Sequence, residues 1–183
     1  MTGADIISRM IEQYEAGAVY TGGRLYEIPT SGRGMICFDM DGTIADLYSV
    51  PNWLEKLEVE DPSPYVEAEP MVDMEELVCV LEALISQGWE IRIISWLSKN
   101  GSTAYNAAVR KAKREWLEKY NFPANKVHLV QYGTTKANCV RKQTDFAILI
   151  DDNQKIRDGW HLGDTIDPMN EDIIECLREL VES

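Results

Sequence analysis

Positive charge is scarce in this sequence: 18 Lys and Arg stand against 31 Asp and Glu, a formal net charge of −13 at pH 7. Nucleic acids are held mainly through Lys and Arg on phosphates, so stable nucleic-acid binding is not expected outside a local basic pocket. Cysteine is sparse too. Cys37, Cys79, Cys139 and Cys176 are widely spaced and form no Cys-x-x-Cys pair; they are expected as buried, reduced thiols of a cytoplasmic protein. No apolar run approaches the length of a membrane span, and neither an internal repeat nor a low-complexity tract occurs. The stretch MTGADIISRMIEQYEAG lacks the apolar core of a signal peptide, so no membrane partner is expected.

What is present suits one well-packed domain: 183 residues, 45% of them hydrophobic. Residues 1–34 read as an N-terminal extension, with Ile6, Ile7, Met10, Ile11 and Tyr14 at helical spacing and Gly22-Gly23 turning a small hairpin. Residues 35–183 read as the main domain. MICFD is a short continuous apolar run of the kind found in a strand covered on both faces. Between Leu47 and Pro70 the pattern breaks: this stretch holds four of the seven prolines. It is expected as an irregular insertion with one short helix around Trp53, Leu54 and Leu57. Beyond it, a helix over Met71–Gln87, the strand WEIRIISW, the long helix TAYNAAVRKAKREWLEKYN, and the strand KVHLVQY follow. A short helix or turn at TTKANCVRKQT, the strand DFAILIDD and the helix DIIECLRELVES complete the chain. Alternating strands and helices predict an α/β fold, a doubly wound parallel sheet with helices on both faces.

In such sheets ligands sit at the carboxyl ends of the strands. The first core strand ends in Asp39, with Asp41 two residues beyond; the second ends in Ser95; the last ends in Asp151-Asp152. Four carboxylates in one crevice repel one another unless a cation offsets them. A hard divalent ion such as Mg²⁺ does so and leaves room for waters and a phosphate. Lys136, after the strand HLVQY, offers a further positive charge. Lys142 lies in the same interval and is the alternative. Gly133-Thr134-Thr135 makes a natural strand exit and helix start before Lys136.

The ordered set of an apolar run plus DMDGT, a strand-closing Ser, a downstream Lys and a final apolar run plus DD resembles the motifs of the haloacid dehalogenase (HAD) superfamily, phosphatase branch, over residues 35 to about 160. The resemblance implies a Rossmann-like core and Mg²⁺-dependent phosphomonoester hydrolysis. In it Asp39 is the nucleophile that becomes an aspartyl phosphate, and Asp41 passes protons to the leaving alcohol and from water. Ser95 hydrogen-bonds the phosphoryl, and Lys136 offsets its charge. Gly42, Thr43 and Trp96 fall on the substrate side. Asp39, the Asp41 backbone carbonyl, Asp152 and Asp151 (as ligand or support) hold the metal.

Residues 47–70 are too few for a full cap domain, so the site is expected to be open unless a second subunit, in a homo-oligomer, covers it. Small-capped relatives include deoxyribonucleotide 5′-phosphatases, which favours a small phosphorylated substrate such as a nucleotide. Polynucleotide-end and protein phosphatases are the alternatives. Tyr48, Trp53 and Trp96 are candidates to stack on an aromatic leaving group. Asp158, Asp164 and His161 are weaker candidates near the site, and His128 reads as packing or surface. A receiver-like signalling module also uses a phosphorylated Asp, but its paired acids follow the first strand, whereas here they come last. A catalytically silent binding module finds no support, because no expected polar group is missing.

Overall fold

The computed structural model describes residues 18–21, 24–27, 34–144 and 146–182. The helix expected over residues 4 to 16 lies outside them. Strands β1 (Ala18–Thr21) and β2 (Arg24–Glu27) pair antiparallel with Thr21 opposite Arg24; the turn expected at Gly22-Gly23 lies outside the described residues.

The core begins with β3 (Met35–Phe38). A tight loop follows, in which the Met40 carbonyl accepts from the backbone N–H groups of Thr43, Ile44 and Ala45. The insertion then differs from the sequence expectation: it folds as two short helices rather than one. The two-residue strand β4 (Ala45–Asp46) pairs with β5 (Glu69–Pro70) and closes the neck. Helices α1 (Trp53–Glu58) and α2 (Ser63–Glu67) fill the space between these strands. The lid so formed is tied to the core at both ends of the long helix over Thr103–Lys119. The Trp116 indole donates to Ala68 O at 2.7 Å, and Glu60 accepts from Ser102 N and Oγ, each at 2.7 Å.

Helix α3 (Met74–Ser86) starts three residues later than the periodicity suggests, because the Asp73 carboxylate caps it by accepting from Glu76 N at 3.0 Å. Strand β6 (Glu90–Trp96), helix α4 (Thr103–Lys119, capped by Ser102) and strand β7 (Lys126–Val130) come next. A 3-10 turn spans Lys136–Cys139 and leads to β8 (Ala147–Ile150). Two further elements carry no clear periodic signal: α5 (Gln154–Asp158) and the two-residue β9 (Thr165–Ile166). Helix α6 (Ile173–Glu182) ends the described chain.

Five strands form one parallel sheet in the order β7-β6-β3-β8-β9. The chain runs from β3 outward to one side and then returns to β8 on the other. A topological switch therefore lies at the carboxyl end of β3, the position at which open α/β sheets bind ligands. Strand pleating sends Ile36 and Phe38 into a large cluster with Leu77, Leu81, Val109, Trp116 and Leu177. Met35 and Cys37 face the other way, against Ala137, Val140 and Trp160. The long helices thus gather on one face, while short segments cover the other. All four cysteines are free; Cys37 is buried as expected, Cys139 and Cys176 are only half-buried, and Cys79 is exposed. That is a correction: its position falls on the solvent side of α3, although it sits between apolar residues. Among the described residues no helix is long and apolar enough to cross a membrane.

Candidate active site

Asp39 is the first residue beyond β3, and its N–H donates to Ile150 O at 2.9 Å, which locks it beside the end of β8. Lys136 opens the 3-10 turn and is almost wholly buried. Its Nζ donates to Asp151 Oδ2 at 2.6 Å and lies 3.0 Å from Asp39 Oδ1. The second contact is an ion pair, and Asp39 Oδ1 is a buried oxygen that accepts no hydrogen bond. Burial opposes the charge on Lys136, yet the carboxylates of Asp39 and Asp151 outweigh it and raise the lysine pKa. Lys142 is exposed in the turn that follows. The geometry therefore separates the two lysines that the sequence left open.

The acids at the end of β8 are braced individually. Asp151 is fully buried; its Oδ2 takes the Lys136 bond and its Oδ1 accepts from Asn153 N at 2.9 Å. Arg157, also buried, donates to the Asp151 backbone carbonyl at 2.6 Å and is itself paired with Asp167 at 2.6 Å. Asp152 donates its N–H to Thr43 Oγ1 at 3.1 Å. Burial, then the charges of Asp39 and Asp151, push the Asp152 carboxyl up to about 6, and burial and Asp39 raise Asp151 as well.

One carboxylate oxygen from each of Asp39, Asp151 and Asp152 lies within 4.8 Å of the others. This all-oxygen donor set, with an Asp39 oxygen that accepts no hydrogen bond and two carboxyls raised by mutual charge, fits a hard divalent cation such as Mg²⁺. The Asp41 side chain does not join it, so only the Asp41 carbonyl is left to serve there.

Asp41 instead faces a lysine that sequence reasoning missed. Lys113 Nζ, on α4, donates to Asp41 Oδ2 at 2.6 Å. Burial raises the Asp41 pKa, partly offset by the Lys113 charge, with Asp39 adding to the rise. The direction of that shift favours the acid form that proton donation needs. The available signal was weak: Lys113 falls on the α4 stripe of Val109, Ala112, Trp116 and Leu117, where a lysine reads as an interruption.

Gly42 is required by the turn. Its φ is +77°, and a Cβ there would stand 2.6 Å from Asp152 Oδ2 and 2.7 Å from Tyr48 Cε2. Thr43 is buried, and its hydroxyl braces Asp152. Ser95 is also fully buried, and its hydroxyl accepts from Lys113 at 2.8 Å. These three residues stand behind the cavity wall, not on it.

The cavity itself holds about 390 Å³, with Asp39, Asp41, Lys136, Asp151 and Asp152 among its lining residues. Aromatic groups line the rest. Tyr48 and Trp53 meet edge-on at 5.1 Å on the lid, and Trp96 and Tyr132 lie 4.8 Å apart on the core side. Trp96 is oriented by its indole N–H on Thr134 O at 2.8 Å. Tyr65, Ser98 and Lys99 also line the space and were not anticipated. Asp158, Asp164, His161 and His128 do not line it; Asp158 is exposed and accepts from Gln154.

A five-stranded parallel α/β core with an acidic crevice at the carboxyl end of its central strand is the doubly wound, Rossmann-like architecture that the sequence predicts. Among solved structures, a chain of the Pnkp1/Rnl/Hen1 RNA repair complex is similar over 81% of this chain and 46% of its own length, at a TM-score of 0.54 and 17% identity. This protein thus spans less than half of that chain, and the likeness is one of fold. The HAD domain of effector protein Lem4 from Legionella pneumophila matches 70% of this chain and 78% of its own, at a TM-score of 0.36 and 16% identity. No protein-family model matches the sequence, and no curated protein matches it.

Proposed function

We propose that this chain is a Mg²⁺-dependent phosphomonoesterase of HAD type, working in the cytoplasm through an aspartyl phosphate on a small phosphorylated metabolite. A nucleotide is the favoured case. The observation that carries the reading is Asp39: a carboxylate at the switch point of the sheet, 3.0 Å from the Lys136 ammonium, beside two further acids, at the floor of an aromatic-walled cavity.

Asp39 attacks phosphorus, the bond from phosphorus to the ester oxygen breaks, and Asp41 gives its proton to the departing alcohol. Water then attacks phosphorus, Asp41 takes its proton, and the bond to Asp39 breaks, freeing inorganic phosphate. Lys136 offsets charge on the phosphoryl oxygens throughout. Mg²⁺, held by Asp39, Asp152 and the Asp41 carbonyl with Asp151 as ligand or support, would screen the repulsion between anionic nucleophile and anionic substrate.

The cavity walls support the substrate class. Two aromatic pairs above an ionic floor favour a phosphate joined to a flat ring system over a polyhydroxylated sugar alone. The net charge of −13 counts against polynucleotide ends as substrates.

The test is phosphate release from nucleoside 5′- and 3′-monophosphates and sugar phosphates, with Mg²⁺, with EDTA, and with Asp39→Asn protein. Release that needs Mg²⁺ and vanishes in Asp39→Asn is expected, highest on nucleotides. Absence of release from every monoester would sink the proposal.

A further inference from the structure

We propose that Lys113 is a positioning residue for the proton donor, holding the Asp41 carboxylate toward the leaving-group oxygen; this rests on the reading of Asp41 as the general acid. Lys113 is 1% exposed, and taking an ammonium out of water costs several kcal/mol unless every N–H finds an acceptor. Here each does. Nζ donates to Asp41 Oδ2 at 2.6 Å, to Ser95 Oγ at 2.8 Å and to Trp96 O at 2.8 Å, three acceptors for three donors. The Tyr65 ring, 5.1 Å from Nζ to its centroid, closes the remaining side.

Core stability does not explain the residue. The Val109–Leu117 stripe is otherwise apolar, and apolar side chains in place of a whole buried ion pair are often neutral or stabilising. What the lysine adds is a tether between rigid elements and a short loop. Ser95 and Trp96 belong to β6, Lys113 to α4, and Asp41 to the loop after β3. The loop alone leaves the Asp41 side chain free to rotate; the ammonium fixes one oxygen while the residue still lines the cavity with 19% of its side chain exposed. When Asp41 gives up its proton, the adjacent ammonium stabilises the carboxylate that forms. Ser95 acts in this arrangement as a support for Lys113. Its hydroxyl, wholly buried, stands behind the cavity.

The test exploits the fact that a proton donor matters only when the departing oxygen needs a proton. Lys113→Met and Ser95→Ala are compared with wild type on aryl phosphates of graded leaving-group acidity and on one alkyl phosphate. For Lys113→Met, kcat is expected to fall about 100-fold on phenyl and alkyl phosphates, the scale of a lost general acid, and less than about 5-fold on 2,4-dinitrophenyl phosphate, with KM and the Mg²⁺ dependence little changed. Adding Lys113→Met to Asp41→Asn is expected to cost little more than Asp41→Asn alone. Should Lys113→Met not fold, Ser95→Ala, which removes one of the three acceptors, carries the test with a smaller loss of the same leaving-group pattern. A loss that is equal for all leaving groups, or no loss, overturns the inference while leaving Asp39-dependent hydrolysis intact. Failure of wild type to cleave any of these esters overturns the functional reading itself, and the inference with it.

Discussion

Replacing Asp152 by Asn should stabilise the metal-free protein and at the same time abolish its response to Mg²⁺. Asp152 shares its site with Asp39 and Asp151, and burial plus those charges lift its pKa from 3.8 to about 6. Because the folded value lies above the ordinary one, the folded protein keeps a proton between pH 4 and pH 6 that the unfolded chain has already lost. Stability contributed by this site therefore falls as the pH rises through that window, and the full cost is present above pH 6. The displacement corresponds to about 3 kcal/mol at most, and solvent at the exposed edge of the residue halves it to about 1.5 kcal/mol. For a chain of 183 residues that is about 3–6 °C in Tm. Melts in EDTA at pH 7.5 should place Asp152→Asn above wild type by that amount, with the gap closing near pH 4. Saturating Mg²⁺ should raise wild type by about 3 kcal/mol at a hundredfold excess over its Kd and leave the variant nearly unmoved. An Asp152→Asn protein that melts at or below wild type in EDTA at pH 7.5, or that gains as much from Mg²⁺, would refute the account of a crowded acid site relieved by a cation.

Gly42→Ala should lose at least about 10-fold in kcat and about 1–2 kcal/mol of stability, since its Cβ at φ +77° meets Asp152 Oδ2 at 2.6 Å; steady-state kinetics and urea melts check both. Lys136→Met should cost about 100-fold or more in kcat because Asp39 and Asp151 lose their shared cation, whereas Lys142→Met, altering an exposed turn, should stay within about 2-fold. For Trp53→Ala and Tyr132→Ala, KM for a nucleotide should rise about 3- to 10-fold, the worth of one aromatic contact, with hydrolysis of acetyl phosphate unchanged; equal losses on both substrates would remove the aromatic walls from substrate binding.

The core strands and long helices were legible because their signals are local. MICF and AILI are continuous apolar runs, and the stripe of α3 repeats every three or four residues. Asp39, Asp41 and Asp151-Asp152 were legible for the same reason: each stands at the end of such a run, and strand direction sends those ends to one edge. The groups that brace these acids were not legible. Lys113 lies 72 residues from Asp41, and Thr43 lies 109 residues from Asp152. Nothing in the spacing of α4 distinguishes a lysine aimed at a buried acid from one lying along the surface. Ser95 stands one residue before the end of its strand, but whether its hydroxyl meets the cavity or a lysine behind it depends on how α4 packs on β6. Lys136 was favoured over Lys142 by the strand exit before it, and the 3-10 turn puts Lys136 between two carboxylates and leaves Lys142 in solvent. The sequence by itself determined which acids exist and which strand ends carry them, because backbone periodicity is a short-range property. Only the tertiary structure decided which cation each acid meets, because that pairing is made by the docking of a helix or loop onto a sheet edge many residues away.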